Sequence, residues 1–585
     1  MIKLKTLLTA LNAKYIHSSL AIRSISAYCA LYGKKAETAE FTINNSKELI
    51  IREIFKIRPD VIGFSCYIWN IDMILEISSS IKKILPHTFI FLGGPEVSFS
   101  GEDILKNNGF IDLIIKGEGE KTVLSILNRI EDREKNFCGI PGITFRNKGQ
   151  IMSSPPAEPM DLNHIPFPYN NIEEMENRII YYESQRGCPY NCGFCLSSID
   201  GKPRFLSQDR IKADLDFFIK NNVKQVKFVD RTFNCNKSHA RFIWEYIMRN
   251  DNGKTNFHME IEAHALNDDD IDFLKNARKG LFQFEIGVQS TNTKTLGAVS
   301  RNADFETIKR KVNKIKAAKN IHVHLDLIAG LPFEDYASFK KSFNDVYSLR
   351  PEQLQLGFLK LLKGSALRRD AQKHGIVYNE KAPYEVLFTR EMPFEDMLRL
   401  KAIEEMVETY YNSFKIITAE KFISSMFPSA FDFYEALGEY WVSNGFHAVN
   451  HSKNQLYEVL FNFCIQSGFT AENQSIAEQL MRFDLLLSDN IKTLPAFMKE
   501  DNSEEFKAIK REFFNSAQNR EKYLPDFSGF TSSQLSRMCR VEPFHIDVKE
   551  FAESGRIINK KTYILYNYQS RDIITNHAQS VKIDI

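Results

Sequence analysis

Apolar runs that end in small or polar residues alternate with helix-period stretches through the first 150 residues of this chain. "TLLTALN" is a strand-like run closed by Asn12, and "SLAIRSISAYCALYG" after it carries apolar residues at helical spacing up to a glycine stop. The unit recurs with "DVIGFSCYIW" before "MILEISSSIKKIL", with "TFIFLGGPEVS" and with "IDLIIKGEGEKTVLSIL". Such alternation predicts a doubly wound parallel sheet, an α/β fold. Ligands of these sheets lie beyond the carboxyl ends of the strands, where the chain reads Asn12, Ser65, Gly93-Gly94-Pro95 and Gly117-Glu118-Gly119-Glu120. The glycines either let backbone approach a bulky ligand or only make tight turns.

After this domain, residues 1–150, the proline-rich "QIMSSPPAEPMDLNHIPFPYNN" has no clear period and reads as a linker over 151–172. Strand candidates then return with helical segments between them: "QVKFVDRTFN", "FHMEIEAHAL", "LFQFEIGVQS", "HVHLDLIAGLP" and "LQLGFLKLL". They predict a partial or complete barrel of parallel strands over 173–372, with active groups at its carboxyl end. Over 373–585 the glycine-rich pattern gives way to helical spacing, as in "PFEDMLRLKAIEEMVETYYNSF", "NQLYEVLFNFCIQSG" and "AEQLMRFDLLLS". The expectation there is a mostly helical domain whose aromatics, Tyr410, Tyr411, Phe461 and Phe463, form core. "KKTYILYNYQSRD" reads as a closing strand. No chemistry is recognisable in this part, and its expected role is to help determine the substrate.

The 585 residues exceed what one core serves, which sets an expectation of about three or four domains. A formal net charge of +2 argues against an electrostatic nucleic-acid binder. No run of eighteen apolar residues occurs, and the start "MIKLKTLLTALNAKYIHSS" lacks a long apolar region and a cleavage site, so a cytoplasmic protein without a membrane partner is expected. The nine cysteines are odd in number and mostly isolated, which predicts reduced thiols rather than a disulfide framework.

Three of those cysteines, Cys188, Cys192 and Cys195, crowd into "RGCPYNCGFCLSS". Thiolates at spacings of four and three converge on one soft metal centre, zinc or an iron–sulfur cluster. A structural zinc site needs a fourth ligand, and the next cysteines, Cys138 and Cys235, are isolated. A cubane cluster tolerates the shortage when its fourth iron binds something exchangeable, and chemistry can happen at that iron.

The spacing in "CPYNCGFC", with Phe194 just before the last cysteine, resembles that of the radical S-adenosylmethionine (SAM) superfamily. "FEIGVQSTNTKTLGAVSR" and "DLIAGLPFE" resemble two further motifs of that superfamily, in the expected order. Together with "LGGPEVS" and "KGEGEKT", the chain over roughly 1–370 resembles the cobalamin-binding-domain radical SAM proteins, a group that includes the anaerobic magnesium-protoporphyrin cyclase and many methyltransferases.

The resemblance implies that Cys188, Cys192 and Cys195 ligate three irons of a [4Fe–4S] cluster whose fourth iron chelates SAM. It further implies reductive cleavage to a 5′-deoxyadenosyl radical, with the cofactor supplying the hard step and the protein supplying position and shielding. Phe194 would lie near the adenine or serve packing, Asp230 and Arg231 near the methionine moiety, and Glu262, Gln289, Ser290 and Arg301 near the ribose or carboxylate. Ile328, Gly330 and Leu331 resemble the strip that meets the adenine. Cobalamin would lie against Asn12, His17, Ser65, Gly93, Gly94, Gly117 and Glu118. The chain departs from the family in reading "NAKYIHSSL" where many members carry Asp-x-His-x-x-Gly, so His17 is either a lower cobalt ligand or a structural residue. Implied partners are a small-molecule or peptide substrate and a low-potential donor such as ferredoxin or flavodoxin, under anaerobic conditions. Three functions remain open on sequence: cobalamin-dependent methylation of an unactivated carbon, radical oxidation, cyclisation or rearrangement without methyl transfer, and a non-catalytic corrinoid or metal-binding sensor.

Overall fold

The computed structural model describes residues 4–134, 136–170, 172, 175–199, 201–498, 500–501, 503–527 and 529–584. Asn171, near the end of the expected linker, lies outside them. The chain divides into two compact units, Met1–Asp335 with Gly357–Phe394, and Tyr336–Leu356 with Glu395–Ile585.

The first unit opens with β1 (Thr6–Asn12), β2 (Ala36–Thr42), β3 (Val61–Ser65), β4 (Phe89–Gly93) and β5 (Leu113–Ile115), followed by β6 (Ile143–Asn147) and β7 (Gln150–Ser153). Their order in the sheet is β2-β1-β3-β4-β5-β6-β7, the first five parallel as expected and the last two antiparallel. β1 and β3 are buried at every residue because helices lie on both faces. Leu7, Ile62 and Phe64 enter one core with Ile74 and Ile77 of α3 (Ile71–Ile84), as named after α1 (Leu20–Leu31) and α2 (Lys47–Ile57). Leu8, Val61 and Phe91 enter the other with Ile22 of α1 and Val123 of the helix Glu120–Glu131. Gly63 is fixed by this packing, since a Cβ there would fall 2.2 Å from the Phe91 ring. The β6–β7 hairpin turns at Lys148 and Gly149, both at positive φ as a type I′ turn needs, so the first residues of the expected linker are strand.

The second sheet of this unit has β8 (Ile180–Tyr182), β11 (Gln225–Phe228), β12 (Asn256–Glu260), β13 (Phe282–Gln289) and β14 (His322–Ala329); β9 (Gln185–Arg186) and β10 (Arg204–Phe205) form a separate antiparallel pair. The five strands run parallel in the order β14-β13-β12-β11-β8, with Glu260 opposite Glu285 and Glu285 opposite His324. Burial alternates residue by residue along β13. Its apolar residues Phe282, Phe284, Ile286 and Val288 are buried, while the alternate residues Gln283, Glu285 and Gln289 are polar and half-buried. This is a partial barrel of the expected kind. Gln353–Phe358 also forms a strand.

In the second unit, helices such as Ala430–Ser443, Lys453–Gln466 and Ala471–Ser488 dominate. Tyr410, Tyr411 and Phe463 are buried and Phe461 stacks on Phe497, so the aromatics form core as expected. The segment "KKTYILYNYQSRD" becomes Thr562–Arg571, the middle strand of an antiparallel sheet with Cys539–Phe544 and Ala578–Ile583 rather than the closing one. No described helix is long and apolar enough to cross a membrane.

Candidate active site

The cysteine loop leaves the barrel just after β8 and β9. Its root is fixed by Asp230, wholly buried, which accepts from the Ser184 amide at 2.8 Å, the Gln185 amide at 3.2 Å and the Ser184 hydroxyl. Burial pushes the Asp230 carboxyl up to about 8. Gly187, at φ +101°, then turns the chain where a Cβ would sit 3.0 Å from the Lys202 carbonyl. Cys188 Sγ lies 3.4 Å from Thr232 Oγ1, and Cys192 Sγ lies 3.8 Å from Arg301 Nη1. None of the nine cysteines, all among the described residues, is in a disulfide. Burial raises the Cys192 thiol against the pull of Arg301, with Cys195 and Cys188 close enough to add to the rise. The loop is tied down where the Gly193 amide donates to Val299 and its carbonyl accepts from Leu367, each at 2.8 Å. Phe194 is half-buried in it.

The ends of β12, β13 and β14 bring most of the remaining candidates to the same place. Arg301 bonds Glu262 at 3.0 Å and also donates to the Gly287 carbonyl, while Glu262 Oε1 lies 3.1 Å from His264 Nδ1. Gln289, at φ +69°, holds its Oε1 buried without a hydrogen-bond partner, an orphan acceptor at the barrel mouth. Ser290 donates to Glu334 at 2.6 Å. Ile328 is the last residue but one of β14, on the same face as His324 and Asp326, and after Ala329 come Gly330 at φ +87° and the buried Leu331. Arg231 Nη1 is 3.7 Å from Glu260 Oε1, and its charge is also felt by Cys195 and Tyr67.

At the carboxyl end of the first sheet, Asn12 donates to Glu40 at 2.8 Å and to the His17 carbonyl at 3.0 Å. His17 Nδ1 lies 2.7 Å from the Tyr181 hydroxyl on β8. Ser65 accepts through its carbonyl from Asn70 at 3.1 Å. The three glycines differ. Gly94 is needed by the turn itself, because at φ +108° a Cβ would meet the Cys66 carbonyl at 2.6 Å. Gly93 has only Ile115 within reach of a Cβ, at 3.7 Å, and Gly117 at φ +77° faces open space. Glu118 spends its carboxylate on Arg204, on Arg186 at 3.5 Å and on the Met160 amide at 3.1 Å. Sequence reasoning passed over the stacked rings of Tyr67 and Trp69 after β3, 4.4 Å apart, and the exposed Tyr15 and Ile16 after β1. The signal was present in "FSCYIW", since exposed aromatics at a strand end suit a flat apolar ligand.

These features match what the residues would have to hold. Three thiols outside any disulfide on one tied loop suit a [4Fe–4S] cluster, the orphan Gln289 oxygen at the barrel mouth suits SAM, and the open turn at Gly117 and the exposed rings, all after strands of the first sheet, suit cobalamin. The chain carries the domain pair seen in the cobalamin-binding-domain radical SAM proteins. The B12 binding domain matches residues 7–127 and the radical SAM superfamily residues 182–346. A protein of unknown function family, DUF4080, matches residues 372–566.

The chain is 24% identical over 311 residues to the cobalamin-dependent radical SAM methyltransferase TokK of Streptomyces tokunonensis, covering 48% of this chain and 44% of that protein. It is 22% identical over 338 residues to the anaerobic magnesium-protoporphyrin IX monomethyl ester cyclase of Rubrivivax gelatinosus, covering 52% and 57%. The chain therefore spans about half the length of these curated relatives. Among solved structures, the cobalamin-dependent SAM radical enzyme OxsB with aqua-cobalamin and SAM bound superimposes with a TM-score of 0.60 at 16% identity, over 90% of this chain and 84% of that one, which shows a common fold.

Proposed function

We propose that this chain is a cobalamin-dependent radical SAM methyltransferase acting on an unactivated carbon of a small-molecule or peptide substrate. The observation that carries the proposal is the contact between the carboxyl end of the first sheet and the barrel, where His17 Nδ1 lies 2.7 Å from the Tyr181 hydroxyl on β8. A corrin held at that end would adjoin the barrel that carries the cysteine loop. When bound there, the cluster with SAM supplies a hydrogen-abstracting radical and cobalamin supplies a transferable methyl group.

The residues of this chain bind and orient. Cys188, Cys192 and Cys195 would hold the cluster as thiolates, Arg301 beside Cys192 opposing the rise that burial gives its thiol. Gln289, Glu262, Arg301, Ser290 and Arg231 offer polar contacts to SAM, and Phe194, Ile328, Gly330 and Leu331 offer it an apolar wall. Asp230 acts through the loop it ties down. Gly93, Gly117, Ser65 and Asn12 shape the corrin side, supported by the turns that Gly94 and Glu118 fix. With Nδ1 of His17 engaged by Tyr181, Nε2 is the ring nitrogen that would remain for a bound ligand.

The test is reduced, cluster-loaded enzyme incubated with SAM and candidate substrates under anaerobic conditions, using a ferredoxin or flavodoxin donor. Release of 5′-deoxyadenosine together with S-adenosylhomocysteine supports the reading; a fully loaded cluster that yields neither contradicts it. A second reading, radical oxidation or cyclisation without methyl transfer, is favoured by the cyclase match over 52% of the chain. It predicts 5′-deoxyadenosine without S-adenosylhomocysteine. The same reading of the chain makes it cytoplasmic.

A further inference from the structure

Below the strand ends, the inner face of the barrel carries polar residues that neither the cysteine loop nor the SAM contacts use. Lys227 on β11, His258 and Glu260 on β12, Glu285 on β13, and His324 and Asp326 on β14 form adjoining layers, with Glu285 in register with His324. We propose that Glu285, His324 and Asp326 bind one divalent transition-metal cation inside the barrel.

One ligand atom from each of the three lies within 4.8 Å of the others. Ligands about 2.1 Å from an octahedral ion stand about 3.0 Å apart when adjacent and about 4.2 Å apart when opposite, so this spacing fits. His324 is 5% exposed, and its Nε2 makes no hydrogen bond. Asp326 Oδ1 comes to 2.8 Å from it and is likewise without an aligned hydrogen bond. With His324 protonated the two form an ion pair; with it neutral and the pair not aligned for a hydrogen bond, both atoms keep a lone pair for a cation. Glu285 is oriented from its other side, where Oε2 meets His258 Nε2 at 2.9 Å and Lys227 Nζ at 3.0 Å. Buried partners of this kind characteristically steer a metal-bound carboxylate. Charge agrees, because the three carboxylates of Glu260, Glu285 and Asp326 exceed the two fixed cations of Lys227 and Arg231.

One imidazole with two carboxylates suits manganese, ferrous iron or zinc. Glu285 lies on β13 four residues before Gln289, and Asp326 on β14 four before Gly330, so the ion would sit two inward-facing positions beneath those SAM contacts. There it would grip an oxygen donor of the substrate, a carboxylate or hydroxy-carbonyl group. That anchoring role rests on the proposed function; the cation site does not.

The test adds Mn(II) to full-length protein already loaded with cluster and corrinoid, and follows binding by equilibrium dialysis and by loss of the free Mn(II) electron paramagnetic resonance signal. Manganese is chosen because thiolates select softer metals, so the cysteine loop does not compete. The expected result is one Mn(II) per chain, weakened at least about 100-fold by His324→Ala and by Asp326→Asn, more than the loss of an outer-shell partner causes. Asp326→Asn keeps the side-chain shape and carries the test if His324→Ala fails to fold, with cluster iron as the folding check. No Mn(II) bound at millimolar concentration, or equal binding in Asp326→Asn, overturns the proposal. Bound Mn(II) in an enzyme that releases no 5′-deoxyadenosine would sink the proposed function and leave the cation site standing.

Discussion

The two sheets of the first unit solve opposite problems with the same parallel strands. In the first sheet both faces are apolar: Leu7 and Leu8, adjacent in sequence, enter different cores, and β1 and β3 are buried throughout. Such a sheet can offer a ligand only its ends. In the barrel one face is apolar under helices, and the other turns Gln283, Glu285, His324 and Asp326 inward. That sheet can bind along its inner surface as well as at its mouth. The difference assigns the wide, flat corrin to the first sheet and the reacting groups to the second.

The comparison breaks most visibly through stability. Phe64→Ala in the first sheet removes a wholly enclosed ring and should cost about 3–5 kcal/mol, read as a fall in the denaturant midpoint. Gln283→Ala on the inner face of the barrel should cost about 1 kcal/mol. Equal losses would mean that the barrel interior is ordinary core.

A smaller effect sharpens the ligand assignment. Gly93→Trp fills space where a Cβ meets only Ile115, and should weaken corrinoid binding at least tenfold, about 1.4 kcal/mol, in an equilibrium titration while iron content stays unchanged. Gly94 is unsuitable for this test, since its substitution would strike the Cys66 carbonyl and disturb the turn.

A further contrast is one of pH. No histidine occurs in the strands of the first sheet, whereas His239 beside the cysteine-loop root is pushed down to about 4 by burial. The unfolded chain therefore takes up the proton first. The associated stability is fully present above about 6.5 and is lost as pH falls from there toward 4, at up to about 1.4 kcal/mol per pH unit. His239→Gln should flatten that slope in thermal melts; an unchanged slope would place the acid sensitivity elsewhere.

Much of this was legible in sequence. The cysteine spacing, the strand ends and the barrel strands are local patterns, and the period-two run Gln283, Glu285, Gly287, Gln289 already displayed the polar inner face. Long-range pairings were not legible. Glu118 looks like a ligand residue until Arg204, 86 positions away, takes its carboxylate. Asp230 looks like a SAM contact until Ser184 and Gln185 enclose it. The short β8 and the β6–β7 hairpin lack the length or apolar run that marks a strand, and they form because neighbouring strands supply their hydrogen bonds.

The central claim, that one loop of three thiols holds the reactive cluster, is tested most directly by iron and sulfide analysis of anaerobically reconstituted variants. The account predicts about four irons and four sulfides per chain in the natural sequence. It predicts none when Cys188, Cys192 and Cys195 are all alanine, and the full complement in Cys235→Ala, although Cys235 is close enough to feel Cys188. A cluster retained in the triple variant, or lost in Cys235→Ala, would contradict it.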